Sequence, residues 1–259
     1  MKNNIRITLE YDGSRYDGWQ KQGNTDRTIQ GRLETLVSRL AGEPTEVHGA
    51  GRTDAGVHAK GQVCSFHLRK DWQEDVLRDT INEYLPADIA VLEVEKVPER
   101  FHARLWAVGK TYCYRIRTSR VKDVFERNYV YRYGRPLDIQ AMREAAEYFI
   151  GEHDFKSFCS NKRMKKSTVR RLYDIEIKAD ADEIRLYFHG EGFLYNMVRI
   201  LTGTLLEVGA GMRRPDSMPE ILAAGDRQAA GVTAPPQGLT LCSVYYEKEE
   251  IPGYRTGAE

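Results

Sequence analysis

The run Gly49-Ala50-Gly51-Arg52-Thr53-Asp54-Ala55-Gly56-Val57 sets one carboxylate among glycines and small residues, two positions after an arginine. Glycine tolerates positive φ and has no Cβ to hold a ligand away, so this run suits a tight loop that faces a substrate. Arg52 favours the ionised form of Asp54 and is itself a phosphate-seeking group. An accessible, ionised aspartate is a candidate nucleophile. The plainer alternative is an Asx turn, in which the carboxylate only binds neighbouring backbone amides.

Two other segments carry residues with chemical uses. In Lys110-Thr111-Tyr112-Cys113-Tyr114-Arg115 the two tyrosines fall on one face of a strand, where an aromatic ring can meet a base. Tyr114 is read as an ordinary half-buried strand residue. In residues 190–201, Phe193, Leu194, Met197, Val198 and Leu201 make an apolar helix face. Arg199 sits among them with no acid three or four positions away. A guanidinium on such a helix needs an anionic partner or must reach out to solvent. Asp54 is a candidate partner.

The elements that must position these groups follow from periodicity. Ile5, Ile7 and Leu9 alternate with polar residues and predict a first strand. A Gly- and Asp-rich loop follows over 12–27. Ile29, Leu33, Leu36, Val37 and Leu40 predict a helix, capped by Thr28 and stopped by Gly42. Strands over 45–49 and 62–68 bracket the Asp54 loop, a common setting for reactive residues. A helix over 74–84, with Val76, Leu77, Ile81 and Leu85 on one side and Pro86 ending it, leads to a strand over 89–97. The second half repeats the order, with strands over 104–117, 172–179, 183–189 and 241–246 and helices over 139–150 and 193–208. Two β-α-β-β-α-β halves, 1–105 and 106–259, predict an α+β fold of two ferredoxin-like halves whose antiparallel sheets join side by side around an RNA-binding cleft.

The 259 residues are 41% hydrophobic and 30% charged, which suits a globular protein rather than a disordered one. The formal net charge is only +1, so the distribution of charge matters more than its sum. Residues 100–135 hold ten basic side chains against Asp123 and Glu126, interleaved with Tyr112, Tyr114, Tyr129, Tyr131 and Tyr133. Residues 156–171 hold seven basic side chains and no acid. A solvated face is the ordinary reading of such a run. Phosphate-seeking charge beside flat aromatic rings is also the composition of an RNA-binding surface. The N-terminus lacks an apolar secretory segment and no segment is apolar enough to span a bilayer, so a cytoplasmic protein without membrane contact is expected. Cys64, Cys113, Cys159 and Cys242 are scattered and the six histidines form no ligand-spaced pair. Neither disulfides nor a metal are expected. From residues alone, RNA binding ranks first and the reaction stays open. A non-catalytic RNA-binding or chaperone module and a glycosidase-type hydrolase, with Glu191 as a second carboxylate, are the other readings.

G-R-T-D-A-G-V-H-A at 51–59, K-T-Y-C-Y-R at 110–115, G-F-L-Y-N-M-V-R at 192–199 and P-P-Q-G-L at 235–239 resemble, in order, the motifs of the TruA family of tRNA pseudouridine synthases. The resemblance runs from about Ile5 to Tyr246. It implies isomerisation of uridine to pseudouridine at tRNA positions 38, 39 and 40, in the anticodon stem-loop, by a homodimer that needs no cofactor. Asp54 would be the catalytic nucleophile, Tyr112 the aromatic that contacts the substrate, and Arg199 the basic partner of Asp54. Arg52 is assigned to holding the backbone that the reacting base vacates. Lys162, Arg163, Lys165 and Lys166 match no motif and are read as a loop gripping tRNA phosphates.

Overall fold

The structure is a computed structural model that describes residues 3–161 and 163–255. The chain forms two compact units, one running to Ala107 and taking back Thr240–Tyr246, the other Val108–Leu239 with the chain from Glu247.

In the first unit the N-terminal alternation does form a strand, β1 (Asn3–Tyr11), with Ile5, Ile7 and Leu9 buried. Helix α1 (Ile29–Ala41) starts where the Thr28 hydroxyl accepts the Gly31 N–H at 3.3 Å and stops at Gly42, whose φ of +69° a glycine adopts without strain. The short β2 (His48–Gly49) and the long β3 (His58–Leu68) bracket the Asp54 loop. Helix α2 (Glu74–Tyr84) and β4 (Ile89–Val97) complete the predicted order. The strand β1 lies between β3 and β4, antiparallel to both, with Ile7 opposite Cys64 and Val94, and β2 pairs with β3. Buried Leu77 and Ile81 carry the inner face of α2, whereas Val76 is 53% exposed and lies outside it.

In the second unit come β5 (Gly109–Arg117), β6 (Tyr131–Arg132), α3 (Ile139–Glu147), β7 (Gly151–Asp154), β8 (Val169–Ala179), β9 (Glu183–Gly190), α4 (Met197–Gly209) and α5 (Met218–Ala224). Strand β9 is antiparallel to both β5 and β8, β7 is antiparallel to β8, and β6 runs parallel to β5. The last strand, β10 (Leu239–Tyr245), belongs from Thr240 onward to the first unit and pairs there parallel with β3, with Thr240 opposite His58 and Leu241 opposite Ala59. The fold is a mixed α/β one.

Several of these expectations need correction. The strand expected from 104 begins only at Gly109, because His102 turns the preceding chain: its carbonyl accepts the Trp106 N–H and its Nδ1 the Arg104 N–H. The helix expected from 193 begins at Met197, because Asn196 adopts φ +62°, a left-handed conformation no helix interior accommodates. The strand expected over 45–49 shrinks to His48–Gly49. The short β6, β7 and α5 were not foreseen; two to seven residues are too few to show a period. Among the described residues no helix is long and apolar enough to cross a membrane, and no group of three or more His, Cys, Asp or Glu is arranged to hold a metal ion.

Candidate active site

The Asp54 loop is fixed through its backbone. Ala50 donates its N–H to Val63 O of β3 at 2.7 Å, and the Gly51 carbonyl accepts Gln62 Nε2 at 2.9 Å. Thr53, buried just before Asp54, is held at both ends: its carbonyl accepts the Trp19 N–H at 3.0 Å and its hydroxyl is 2.8 Å from the Tyr11 hydroxyl. Just after Asp54 the chain turns back, Val57 donating its N–H to Asp54 O at 3.1 Å. Gly56 at φ +76° occupies the turn position that a side chain would strain. Asp54 is half-buried and Arg52 exposed. Anchored backbone on both sides therefore presents a short side chain of few rotamers, which is how a loop holds a carboxylate to one place.

Most of this scaffold comes from the Gly- and Asp-rich loop after β1. Gly13 donates its N–H to His58 Nδ1 at 3.1 Å, and the Asp12 carboxylate lies 3.2 Å from the same nitrogen. Tyr16 O accepts the Gly56 N–H at 3.3 Å. Gly18, at φ +98°, packs so closely that a Cβ there would lie 2.7 Å from Thr53 O. Burial pushes the Tyr11 hydroxyl up to about 12, so it stays protonated beside Thr53 and Gln62. Sequence reasoning gave these residues no role. The signal was there in Gln62, a wholly buried amide inside a strand that must find partners.

The second unit holds Tyr112 and Arg199. Tyr112 is buried on β5, edge-on to Phe193 with ring centroids 5.1 Å apart, so Phe193 packs on the tyrosine strand instead of starting α4. Arg199 is half-buried on the first turn of α4. Its Nε donates to Ala234 O at 2.7 Å and a terminal nitrogen to Asn196 Oδ1 at 2.9 Å. The left-handed Asn196 thus turns its side chain to the arginine on one side and to Ser160 Oγ, 3.0 Å away, on the other. Tyr114 grips the same segment. Its hydroxyl donates to Pro235 O at 2.7 Å, and Gly238 lies so close that a Cβ would meet the ring at 2.7 Å. The structure thus brings Arg199 and Tyr114 to the Ala234–Gly238 stretch. Tyr114 is completely buried, not half-buried, and burial raises its hydroxyl far above the usual range.

The basic runs divide. Arg115 pairs with Glu183 at 2.9 Å and Glu126 at 2.7 Å, and Arg117 with Asp123 at 3.1 Å, so the first run neutralises part of its own charge. Arg163, Lys165 and Lys166 are exposed, and Lys162 lies outside the described residues. Glu191, the second carboxylate required for sugar cleavage, accepts the Arg171 backbone N–H at 3.2 Å and supports β8.

Comparison with known proteins gives the class and then the family. The family description "tRNA pseudouridine synthase" matches residues 7–105 and 145–247. The chain is 50% identical to tRNA pseudouridine synthase A 1 of Bacillus cereus over 93% of its own length and 98% of that protein. It is 44% identical to tRNA pseudouridine synthase A 2 of Clostridium perfringens over 94% and 99%. Against tRNA pseudouridine synthase A of Brevibacillus brevis it is 46% identical over 93% and 99%. These relatives define an isomerase that acts on tRNA. The chain belongs to the tRNA pseudouridine synthase family.

Proposed function

We propose that the protein isomerises uridine to pseudouridine at positions 38, 39 and 40 of the tRNA anticodon stem-loop, with Asp54 as nucleophile. The observation that carries this reading is the Asp54 loop, a carboxylate between an anchored Thr53 and a glycine turn, in a chain of this family. The reaction is balanced within the substrate. The bond from uracil N1 to ribose C1′ breaks, the base turns, C5 joins C1′, the C5 proton leaves and N1 takes one up. A carboxylate that adds to the substrate and is then expelled divides this into two easier steps and returns unchanged. Tyr112 is the aromatic that contacts the extruded base. Arg199 supplies the positive charge that keeps the carboxylate ionised, and Arg52 holds the vacated backbone. Arg163, Lys165 and Lys166, with Lys162, grip phosphates. The protein works as a cytoplasmic homodimer without cofactor or metal, and its two units are ferredoxin-like halves. The antiparallel order β4-β1-β3-β2 of the first unit supports the last point.

The test is to map pseudouridine in undermodified tRNA after incubation with wild type and with Asp54→Ala. Wild type should convert positions 38 to 40, and the variant should be slower by at least about 1,000-fold. Conversion by the variant at the wild-type rate would remove Asp54 from catalysis. Conversion at other positions would overturn the assigned target, and no conversion by either protein would favour the tRNA-binding module.

A further inference from the structure

The loop that braces Asp54 has a second side. Its inner edge hydrogen-bonds the catalytic loop through Tyr16 and Trp19. Its outer edge, residues 21–28, walls an open groove of about 1420 Å³ in the first unit, completed by the exposed face of α1 and by Tyr84 to Asp88. Small-molecule sites run to roughly 300–1,000 Å³, so this groove is larger than a metabolite needs and suits a polymer.

Cations outnumber acids along its lining. Arg15, Lys21, Arg27, Arg32 and Arg39 line it, against Asp26 and Asp88. Three of the cations are already paired: Arg15 with Asp88 at 2.5 Å, Lys21 with Glu34 at 3.0 Å, and Arg27 with Asp17 at 3.4 Å. Arg32 and Arg39 are exposed, and among the described residues no carboxylate stands within ion-pair distance of either. Seven positions apart on α1, they point the same way, about 10 Å from each other along the axis. Two cations without counter-charges in a concave wall raise the local potential for a polyanion.

We propose that this groove binds the phosphodiester backbone of RNA, with Arg32 and Arg39 as phosphate contacts. The proposal rests on the reading of the substrate as tRNA and extends it to a face on which no substrate contact has been assigned. The bracing loop then contacts RNA on one side and positions Asp54 on the other.

Binding of an undermodified tRNA transcript should be measured across a potassium chloride series for wild type, Arg32→Gln/Arg39→Gln, Arg32→Lys/Arg39→Lys and Asp54→Ala. The Gln pair should weaken binding about 10-fold at low salt and reduce the logarithmic salt slope by about 1.4 to 1.8, two contacts at about 0.7 to 0.9 each. The Lys pair should recover most of that slope. In conversion assays the loss should fall on KM rather than kcat. Asp54→Ala should keep the wild-type slope, so the binding measurement remains readable if the catalytic assignment fails. An unchanged slope in the Gln pair overturns the groove whatever the conversion assay shows. Equal loss in the Gln and Lys pairs overturns it too, since a structural effect would not follow charge. A lowered slope alongside a wild type that makes no pseudouridine would leave the groove standing and remove the proposed reaction.

Discussion

The Asp54 loop and the Arg199–Tyr114 cluster fix their side chains by opposite means. In the first unit the loop backbone is the thing held: Ala50, Gly51, Thr53, Gly56 and Val57 each take part in a hydrogen bond, and the short carboxylate side chain adds little freedom of its own. In the second unit the regular elements β5 and α4 carry long side chains whose tips reach out to a separate stretch of backbone at Ala234 and Pro235. A loop presenting a small group needs a rigid main chain. A strand or helix is rigid already and needs only its side chains tied. Damage to backbone geometry should therefore cost activity in the first region more than in the second.

The sharpest way to break that comparison is a matched pair of glycine substitutions. Gly18 and Gly151 both have strongly positive φ, +98° and +101°, so alanine should strain either by about 1–3 kcal/mol. At Gly18 the new Cβ would also lie 2.7 Å from Thr53 O, whereas at Gly151 the nearest atom, His153 Nε2, is 3.7 Å away. Both variants should melt several degrees lower. Only Gly18→Ala should also lose kcat, by about 100-fold, because a displacement near 1 Å at the proposed reactive carboxylate of Asp54 costs that much. A comparable kcat loss in Gly151→Ala would mean that general destabilisation, not loop geometry, governs the rate.

A gentler pair removes one hydroxyl from each region. Tyr11→Phe leaves the buried Thr53 hydroxyl without its 2.8 Å partner, and Tyr114→Phe takes one donor from Pro235 O. Each should cost about 1–2 kcal/mol in denaturant unfolding. Tyr11→Phe should further lower kcat about 10-fold, equivalent to about 1.4 kcal/mol of lost positioning, while Tyr114→Phe should stay within about 3-fold. Reversed rates in the two variants would place the more demanding scaffold in the second unit.

The same contrast explains what could be read from the chain. Helix α1 was legible to the residue because Thr28 and Gly42 act on their immediate neighbours. The Asp54 run was legible as a ligand-facing loop because glycines bracket the carboxylate. What holds that run still was not, since Tyr11 and Trp19 lie more than thirty positions away and a Gly- and Asp-rich stretch shows no period. The start of α4 was misplaced for a related reason. Phe193 and Leu194 continue the apolar stripe, but Phe193 packs on Tyr112, and Asn196 takes a conformation that apolar spacing does not encode. Arg199 was noticed because its helix gave it no acid, yet its carbonyl partner Ala234 could be found only from the folded chain.

The smallest expected effect separates the regions by pH. His189 on β9 lies 2.7 Å from the Thr111 hydroxyl on β5, next to Tyr112, and burial lowers its pKa below the ordinary 6.5. In the unfolded chain the imidazole binds a proton near 6.5, while in the folded protein it resists doing so until lower pH. Between those two values the unfolded state holds more protons, so stability rises with pH. The contribution is complete above about 6.5 and is lost as pH falls through the folded value. The melting temperature should therefore decline as pH falls below about 6.5, and His189→Gln, which cannot titrate, should show a shallower decline. Identical pH profiles for the two proteins would show that the pairing of β5 with β9 does not depend on this histidine, leaving side-chain ties to Ala234 and Pro235 as the feature that distinguishes the second region.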